Sequence, residues 1–279
     1  MIGLLRVELT RLRWRRAVLL LLGAAVAVPA IIFAFLVHDT RPRPDDFTDY
    51  DYYYAQLSIV QERTGGSGIA VALILAMLFV LVGTTFVGHD WNTGSMSNQL
   101  LFEPRRGRVW LVKAAMLAVV AFVVSLVVLT AYWSGLWAVS VHRNLDLPDH
   151  AMVAAYKQGV LGAFFASVAA VFGYALTMFF RSTVATLGVL FGIAAAGGAL
   201  VGATGLSDHA QAMPWTNYEA YMVGSSTTYD WDCFPNDTVV EHGACETVVT
   251  RAESLPYFGV ILAVVAVGSV VTFRRRDVP

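Results

Sequence analysis

Six apolar runs, each about as long as a membrane-spanning helix, constrain this chain more than any other feature of its sequence. The hydrocarbon core of a bilayer is about 30 Å thick, so a helix needs about 20 apolar residues to cross it. In a chain with 57% hydrophobic and 14% charged residues, such runs predict an all-α integral membrane protein with six transmembrane helices. We place the spans at 17–37, 69–88, 109–139, 158–180, 183–205 and 255–273.

The first run has a competing interpretation as a secretory signal peptide, because "LRWRR" precedes it and it contains "AVPA". It continues through "IIFAFLV", which makes it longer than a typical signal h-region. We therefore expect a retained span.

Charge is strongly segregated between the two sides of this six-span layout. Loops on the side of the N terminus carry thirteen Lys and Arg residues against four acids, whereas the opposite loops carry six against sixteen. Lys and Arg concentrate on the cytoplasmic side of membrane proteins. The bias therefore predicts that both termini are cytoplasmic, and an even number of spans agrees with this.

The two cysteines of the chain, Cys233 and Cys245, both fall in the predicted outer loop at 206–254. Oxidation is permitted on that side, so we predict a disulfide, with two free thiols as the alternative. In the chain-entropy model, closing a loop of this size stabilises the fold by roughly 3 kcal/mol.

The sequence has none of the usual signs of an energy source of its own. No Asp, Glu, His or Arg lies within the six runs, and Lys113 stands only at the start of the third. Ion-coupled carriers typically place such groups in mid-membrane. Neither Lys113 nor Lys157 fits the G-x-x-x-x-G-K-[ST] loop that binds nucleotide phosphates. These observations disfavour a self-sufficient pump and exclude a P-loop ATPase.

An intramembrane enzyme is the alternative from a different functional class. All six histidines lie in loops, and His142 and His150 flank "RNLDLPD". Loop histidines at this spacing are more often solvated surface groups than metal ligands, and neither H-E-x-x-H nor G-x-S-x-G is present. We therefore predict no catalytic residue and no metal site.

A polar segment, residues 89–108, separates the second and third runs. Gly94 and Ser95 restart the chain, "SMSNQLLF" supplies one to two helical turns, and Pro104 stops them. The pattern predicts a short helix lying along the cytoplasmic face, although spacing alone leaves an ordinary interfacial loop open. The apolar flank would comprise Met96, Leu100 and Leu101, the exposed flank Asn98 and Gln99, and the cationic end Arg105, Arg106 and Arg108.

Several short motifs together resemble the type 2 family of ABC transporter permeases. The family pattern E-L-x-[KR]-L before the first span matches "ELTRL" at 8–12. An acid followed after three residues by G-[ST] matches Asp90, Gly94 and Ser95, with aspartate where relatives usually have glutamate. A leucine pair, a proline, an arginine and a lysine match Leu100, Leu101, Pro104, Arg106 and Lys113, and the ending matches "FRRRD" at 273–277.

The resemblance implies a single six-span permease domain, 1–279, without catalytic activity of its own. Residues 1–16 would form an interfacial helix, and the 89–108 segment would be a coupling segment seated in a separate ATPase subunit. It implies two ATPase chains that bind ATP and Mg, a second permease, identical or related, and a multi-pass location in the bacterial plasma membrane, with no nucleic acid. The predicted docking residues are Asp90, Gly94, Ser95, Met96, Asn98, Gln99, Leu100, Leu101, Arg105 and Arg106.

The same resemblance implies that the translocation path and the dimer contact lie along the second and fifth spans. The fifth span carries two pairs of glycines spaced by four, which allow close approach between membrane helices. An ATP-driven exporter is the function implied, and a sensing or lipid- or peptide-extracting ABC complex is the first alternative. The residues predicted for the path or contact are Met77, Phe79, Thr84, Thr85, Gly188, Gly192, Gly198 and Gly202.

Overall fold

Helices dominate the computed structural model, which describes residues 2–41, 56–204, 212–229 and 246–275. Five helical stretches are long and apolar enough to cross a membrane: Arg16–Asp39, Ile59–Asn92, Arg106–His142, Ala151–Phe180 and Arg251–Arg275. The described apolar part of the predicted fifth span, Thr183–Gly197, is shorter than this criterion. The structure thus supports a helical membrane protein, and the sixth span stays a prediction.

The described elements are numbered in the order in which they follow one another along the chain. The helices are α1 (Ile2–Arg13), α2 (Arg16–Asp39), α3 (Ile59–Thr64), α4 (Ser67–Asn92), α5 (Ser95–Phe102), α6 (Arg106–His142), α7 (Ala151–Phe180), α8 (Thr183–Thr204), α9 (Pro214–Val223) and α10 (Arg251–Arg275), and the strands are β1 (Ser225–Tyr229) and β2 (Glu246–Thr250).

The described residues form two compact units. One comprises Met1–Thr183 with Ala266–Pro279, and the other comprises Val184–Val265. In the first unit, α7 packs along both α4 and α6, while α2 contacts α4 and α6 and α1 contacts α6.

The contact between α4 and α7 is close because small residues meet there. A Cβ atom placed on Gly83 would lie 2.2 Å from the backbone oxygen of Ala170, and one on Gly173 would lie 2.3 Å from that of Val80. The Thr84 hydroxyl donates to the Gly173 carbonyl at 3.4 Å. The two backbones are therefore in direct contact, as small residues permit between membrane helices.

The second unit contains a two-stranded antiparallel ribbon that we did not predict within the 206–254 loop. Its register runs from Ser225 opposite Thr250 to Tyr229 opposite Glu246. Thr and Val make up most of β2, and β1 contains two Thr and a Tyr, residue types that are common in strands. Helix α9 packs against the ribbon, and the Arg251 Nε donates to the Tyr221 carbonyl at 2.8 Å. Burial raises the pKa of the Tyr221 hydroxyl to about 12.

A buried charge cluster where four helices meet

Helix α5 is joined to α4 by a turn whose backbone conformation favours glycine. Helix α4 ends at Asn92, and Gly94 adopts φ +67° immediately before α5 begins at Ser95. This left-handed conformation costs an ordinary L-residue about 1–2 kcal/mol. Gly94 thus reverses the chain so that α5 folds back beside the end of α4.

One face of α5 is turned into the protein and the other is exposed. Met96 is fully buried and Gln99 is 7% exposed, whereas Leu101 is 80% and Phe102 90% exposed. Gln99 was predicted to be exposed beside Asn98, and the structure shows that this was wrong. The exposed apolar residues lie at the end of α5.

Lys113 forms the centre of a buried charge cluster. Its Nζ atom lies 2.8 Å from Oε2 of Glu8 and 2.7 Å from Oδ2 of Asp90, and all three side chains are fully buried. The three residues belong to α6, α1 and α4 respectively. Isolated buried charges are costly, so such groups persist when they are paired and hydrogen-bonded. The cluster therefore fixes three helices against one another.

Arg15 completes the charge balance of this cluster. Its guanidinium donates to Oδ1 of Asp90 and to the backbone oxygen of Phe86, and it lies over the Phe86 ring at 4.5 Å from the centroid. The carboxylates of Glu8 and Asp90 are thus matched by the cations of Lys113 and Arg15.

Two polar residues connect α5 to the cluster. Gln99 donates from Nε2 to Oε1 of Glu8 at 2.6 Å, and Ser95 donates from Oγ to Oδ1 of Asp90 at 2.7 Å. Arg11 donates to the Gln99 amide oxygen at 3.4 Å. Because the same carboxylates also bind Lys113, the position of α5 is tied to α1, α4 and α6.

The start of α6 is also attached to the end of α10, within the first unit. Arg106 donates to the Phe273 carbonyl at 3.0 Å, and the Trp110 indole donates to Oγ of Ser269 at 3.0 Å. Arg105, by contrast, is exposed. Of the two arginines predicted to dock the ATPase, Arg106 is therefore bound within the protein and Arg105 is exposed.

The residues predicted for the path or dimer contact do not share one environment. Phe79 and Thr84 are buried, Met77 is 57% exposed, and Thr85 donates within its own helix to the Leu81 carbonyl at 2.7 Å. Gly188 and Gly192 have open space where a side chain would project. Gly198 and Gly202 lie in α8 with undescribed surroundings. The predicted Cys233–Cys245 disulfide falls outside the described residues.

Sequence reasoning did not place Glu8, Arg15 and Lys113 in one site. Glu8 is the one acidic residue in α1, and Lys113 is the one charged residue at the start of an apolar run. Both residues belong to the motifs noted in the sequence, as does Asp90, so these motifs could have indicated that the three residues form one site. Among the residues that the structure describes, no group of three or more His, Cys, Asp or Glu side chains is arranged to hold a metal ion.

Comparison with known proteins identifies the family through one match. No curated protein and no solved structure matches the chain. The sequence profile of the ABC-2 family transporter proteins matches residues 4–197, a range that includes the complete charge cluster and α5. Because this range is well over half of the chain, the protein belongs to the ABC-2 family, the membrane components of ABC transporters.

Proposed function

We propose that this chain is the permease subunit of an ATP-driven exporter and that α5 is its docking element for a separate ATPase subunit. The proposal depends on one observation above all, the two-sided character of α5. Its inner face is tied to the buried charge cluster, while Leu101 and Phe102 project outward. A helix that receives force from a partner needs both a firm attachment and a contact surface.

The exposed residues of α5 suit docking into a protein groove. Burial of a leucine or phenylalanine side chain contributes about 1.5–3 kcal/mol, and aromatic and aliphatic anchors often dominate such interfaces. The adjacent Arg105 is also exposed and supplies a cation at the edge of the contact. A groove with an apolar centre and an acidic rim would complement this surface.

Motion of a docked α5 would pass to the spans through the cluster. Gln99 and Ser95 hold the carboxylates of α1 and α4, and Lys113 holds both carboxylates to α6. In the proposed complex two ATPase subunits bind ATP and Mg, and a second permease, identical or related, completes the path. The Lys and Arg bias supports a cytoplasmic position for α5 in a bacterial plasma membrane.

Co-purification from native membranes tests the docking proposal. The tagged chain should retain an ATPase that mass spectrometry identifies by a G-x-x-x-x-G-K-[ST] sequence. Leu101→Ser combined with Phe102→Ser should reduce the retained ATPase at least about tenfold, which corresponds to about 1.4 kcal/mol of binding free energy. The matched control is Val141→Ser, because Val141 is 52% exposed at the opposite end of α6.

The proposal predicts equal expression and folding of both variants but loss of the ATPase only from the α5 variant. If that variant retained as much ATPase as the wild-type chain, Leu101 and Phe102 would not be part of the ATPase contact. ATP-independent uphill transport by the purified chain alone in liposomes would contradict the permease proposal as a whole.

A further inference from the structure

A cavity of about 600 Å³ opens beside the charge cluster, between the α1–α2 junction and the end of α4. Its volume falls within the roughly 300–1,000 Å³ that is usual for small-molecule sites. Three of the ten residues that line it are arginines, and none is an Asp or a Glu. The residues that matter for the argument are Arg11, Trp14, Arg15, Arg16 and His89.

The cations around this cavity exceed the carboxylates available to neutralise them. Arg15 pairs with Asp90, and Arg11 lies 3.8 Å from Glu8, but Lys113 also shares these same two carboxylates. Arg16 makes no side-chain hydrogen bond or ion pair in the part of the chain that the structure describes. Positive charge is therefore left over at the wall of the cavity.

Groups capable of hydrogen bonding surround the same space. The amides at the start of α2 have no acceptor within the helix, since the first N–H groups of any helix lack one, and the residue before α2, Arg15, provides no side-chain cap. Ala17 and Val18 of this first turn line the cavity. An anion in the cavity would meet donors as well as cations.

The position of the cavity along the chain indicates which anion it would meet. It lies where α2, a candidate span, begins at Arg16, and Trp14 beside it is 77% exposed. Tryptophan is enriched at the level of lipid head groups. We therefore expect the cavity to lie at the depth of the lipid phosphates.

We propose that this cavity binds the phosphate group of an anionic phospholipid, with Arg16 as its principal ligand and Arg11 and Arg15 around it. The guanidinium group is suited to phosphate oxygens because it can donate two parallel hydrogen bonds. A lipid in this position would place a negative charge next to the Asp90–Arg15 pair and would hold the α1–α2 junction to the membrane. Ser95, at the start of α5, also lines the cavity, whereas the proposed ATPase contact lies at the other end of α5, at Leu101 and Phe102.

Lipid retention measured by native mass spectrometry tests the site. The purified full-length chain in detergent is titrated with phosphatidylglycerol and, separately, with phosphatidylcholine of the same acyl chains. Arg16→Gln removes the unpaired cation, and Arg13→Gln is the matched control, because Arg13 is exposed near the same junction but does not line the cavity. Both variants should show the thermal unfolding midpoint of the wild-type protein.

The wild-type chain should bind phosphatidylglycerol at least about fivefold more tightly than phosphatidylcholine, and Arg16→Gln should lose most of this preference while Arg13→Gln keeps it. An equal loss in both variants would show a diffuse charge effect and overturn the site, as would equal binding of the two lipids. Glycerol 3-phosphate and inorganic phosphate form the third arm. If either displaced the lipid at an equal concentration, the ligand would be a free phosphate and the lipid assignment would fail.

Discussion

Helix α4 is held in two places by different physical means. At its end, Asp90 is fixed by charge, with Lys113 and Arg15 on either side. In its middle, Gly83 is fixed by shape, because the α7 backbone at Ala170 leaves no room for a Cβ atom. The first contact depends on charge balance and tolerates little change in protonation or partner, whereas the second depends on volume alone.

The difference suggests distinct roles for the two contacts. A shape contact between backbones, such as that of Gly83 with Ala170, resists sliding and supports a rigid pair of helices. A charge cluster joins several helices through specific side-chain partners, so a movement of one helix would be passed to the others. Substitutions that change charge, volume or single hydrogen bonds should therefore have different effects at the charge cluster and at the contact between α4 and α7.

The largest effect is expected from Lys113→Met. The substitution keeps most of the side chain's length but leaves Glu8 and Asp90 close together without their shared cation. Breaking a buried ion pair by removing one partner costs about 3–5 kcal/mol, so the midpoint of thermal unfolding in detergent should fall strongly. Adding Glu8→Gln should recover part of the loss, and a single variant as stable as the wild-type protein would show that the cluster contributes no stability.

Gly173→Ala should destabilise the contact that depends on shape. The added Cβ would lie 2.3 Å from the Val80 carbonyl oxygen, and overpacking of this kind costs about 1–3 kcal/mol. Gly188→Ala is the matched control, since the space beside Gly188 is open. The midpoint of thermal unfolding should be lower for Gly173→Ala than for Gly188→Ala. Equal midpoints would mean that α4 and α7 can move apart without a loss of stability. If the Gly188 variant changed only the dimer fraction, the predicted contact between permeases would gain support.

A smaller loss is expected from Gln99→Leu, which removes one donor from the cluster and puts an apolar side chain of similar size in its place. A buried acceptor without its partner costs about 1–3 kcal/mol, and here Lys113 still binds Glu8. Asn98→Leu is the control, because the exposed neighbour should change stability by less than about 0.5 kcal/mol. Hydrogen exchange of the α5 amides should rise in the Gln99 variant only. Equal exchange in the two variants would place the anchor of α5 elsewhere.

Thr84→Val should have the smallest effect, because it keeps the volume at the shape contact and deletes one weak hydrogen bond. The Gly173 carbonyl that loses the Thr84 donor, at 3.4 Å, still accepts from Thr177 at 2.9 Å. The change in unfolding free energy should stay below about 1 kcal/mol. A larger loss would show that polarity, as well as volume, holds α4 to α7.

Much of the helical layout could be predicted from the sequence, because apolar run length and turn residues are local signals. The α7 and α8 boundary at Arg181 and Ser182 and the short helix after Gly94 both follow from such signals. The inward face of α5 could not be predicted, because eight residues are too few for a reliable helical period and Gln99 and Asn98 are chemically alike. Only the distant partner Glu8 decides which of them is buried.

The close contact of α4 with α7 shows a different limit. The fourth predicted span carries small residues at helical spacing, and all of them are buried: Gly159, Ala163, Ala166, Ala170, Gly173 and Thr177. This pattern was visible in the sequence, but we predicted a close helix contact only at the glycine pairs of the fifth span. Small residues indicate that a helix can be approached closely, but they do not identify the partner.

The length of α6 has a mechanical consequence. At about 1.5 Å per residue, its 37 residues form a rod of roughly 55 Å. Lys113 lies near one end of this rod. Just past the other end, Arg143 donates to the Val37 carbonyl of α2 at 2.6 Å. A continuous rod of this size that pivots near Lys113 by about 10° sweeps its far tip through roughly 8 Å. In the proposed permease, a small rotation at the charge cluster would thus be enlarged into a displacement of several ångströms at the far end of α6.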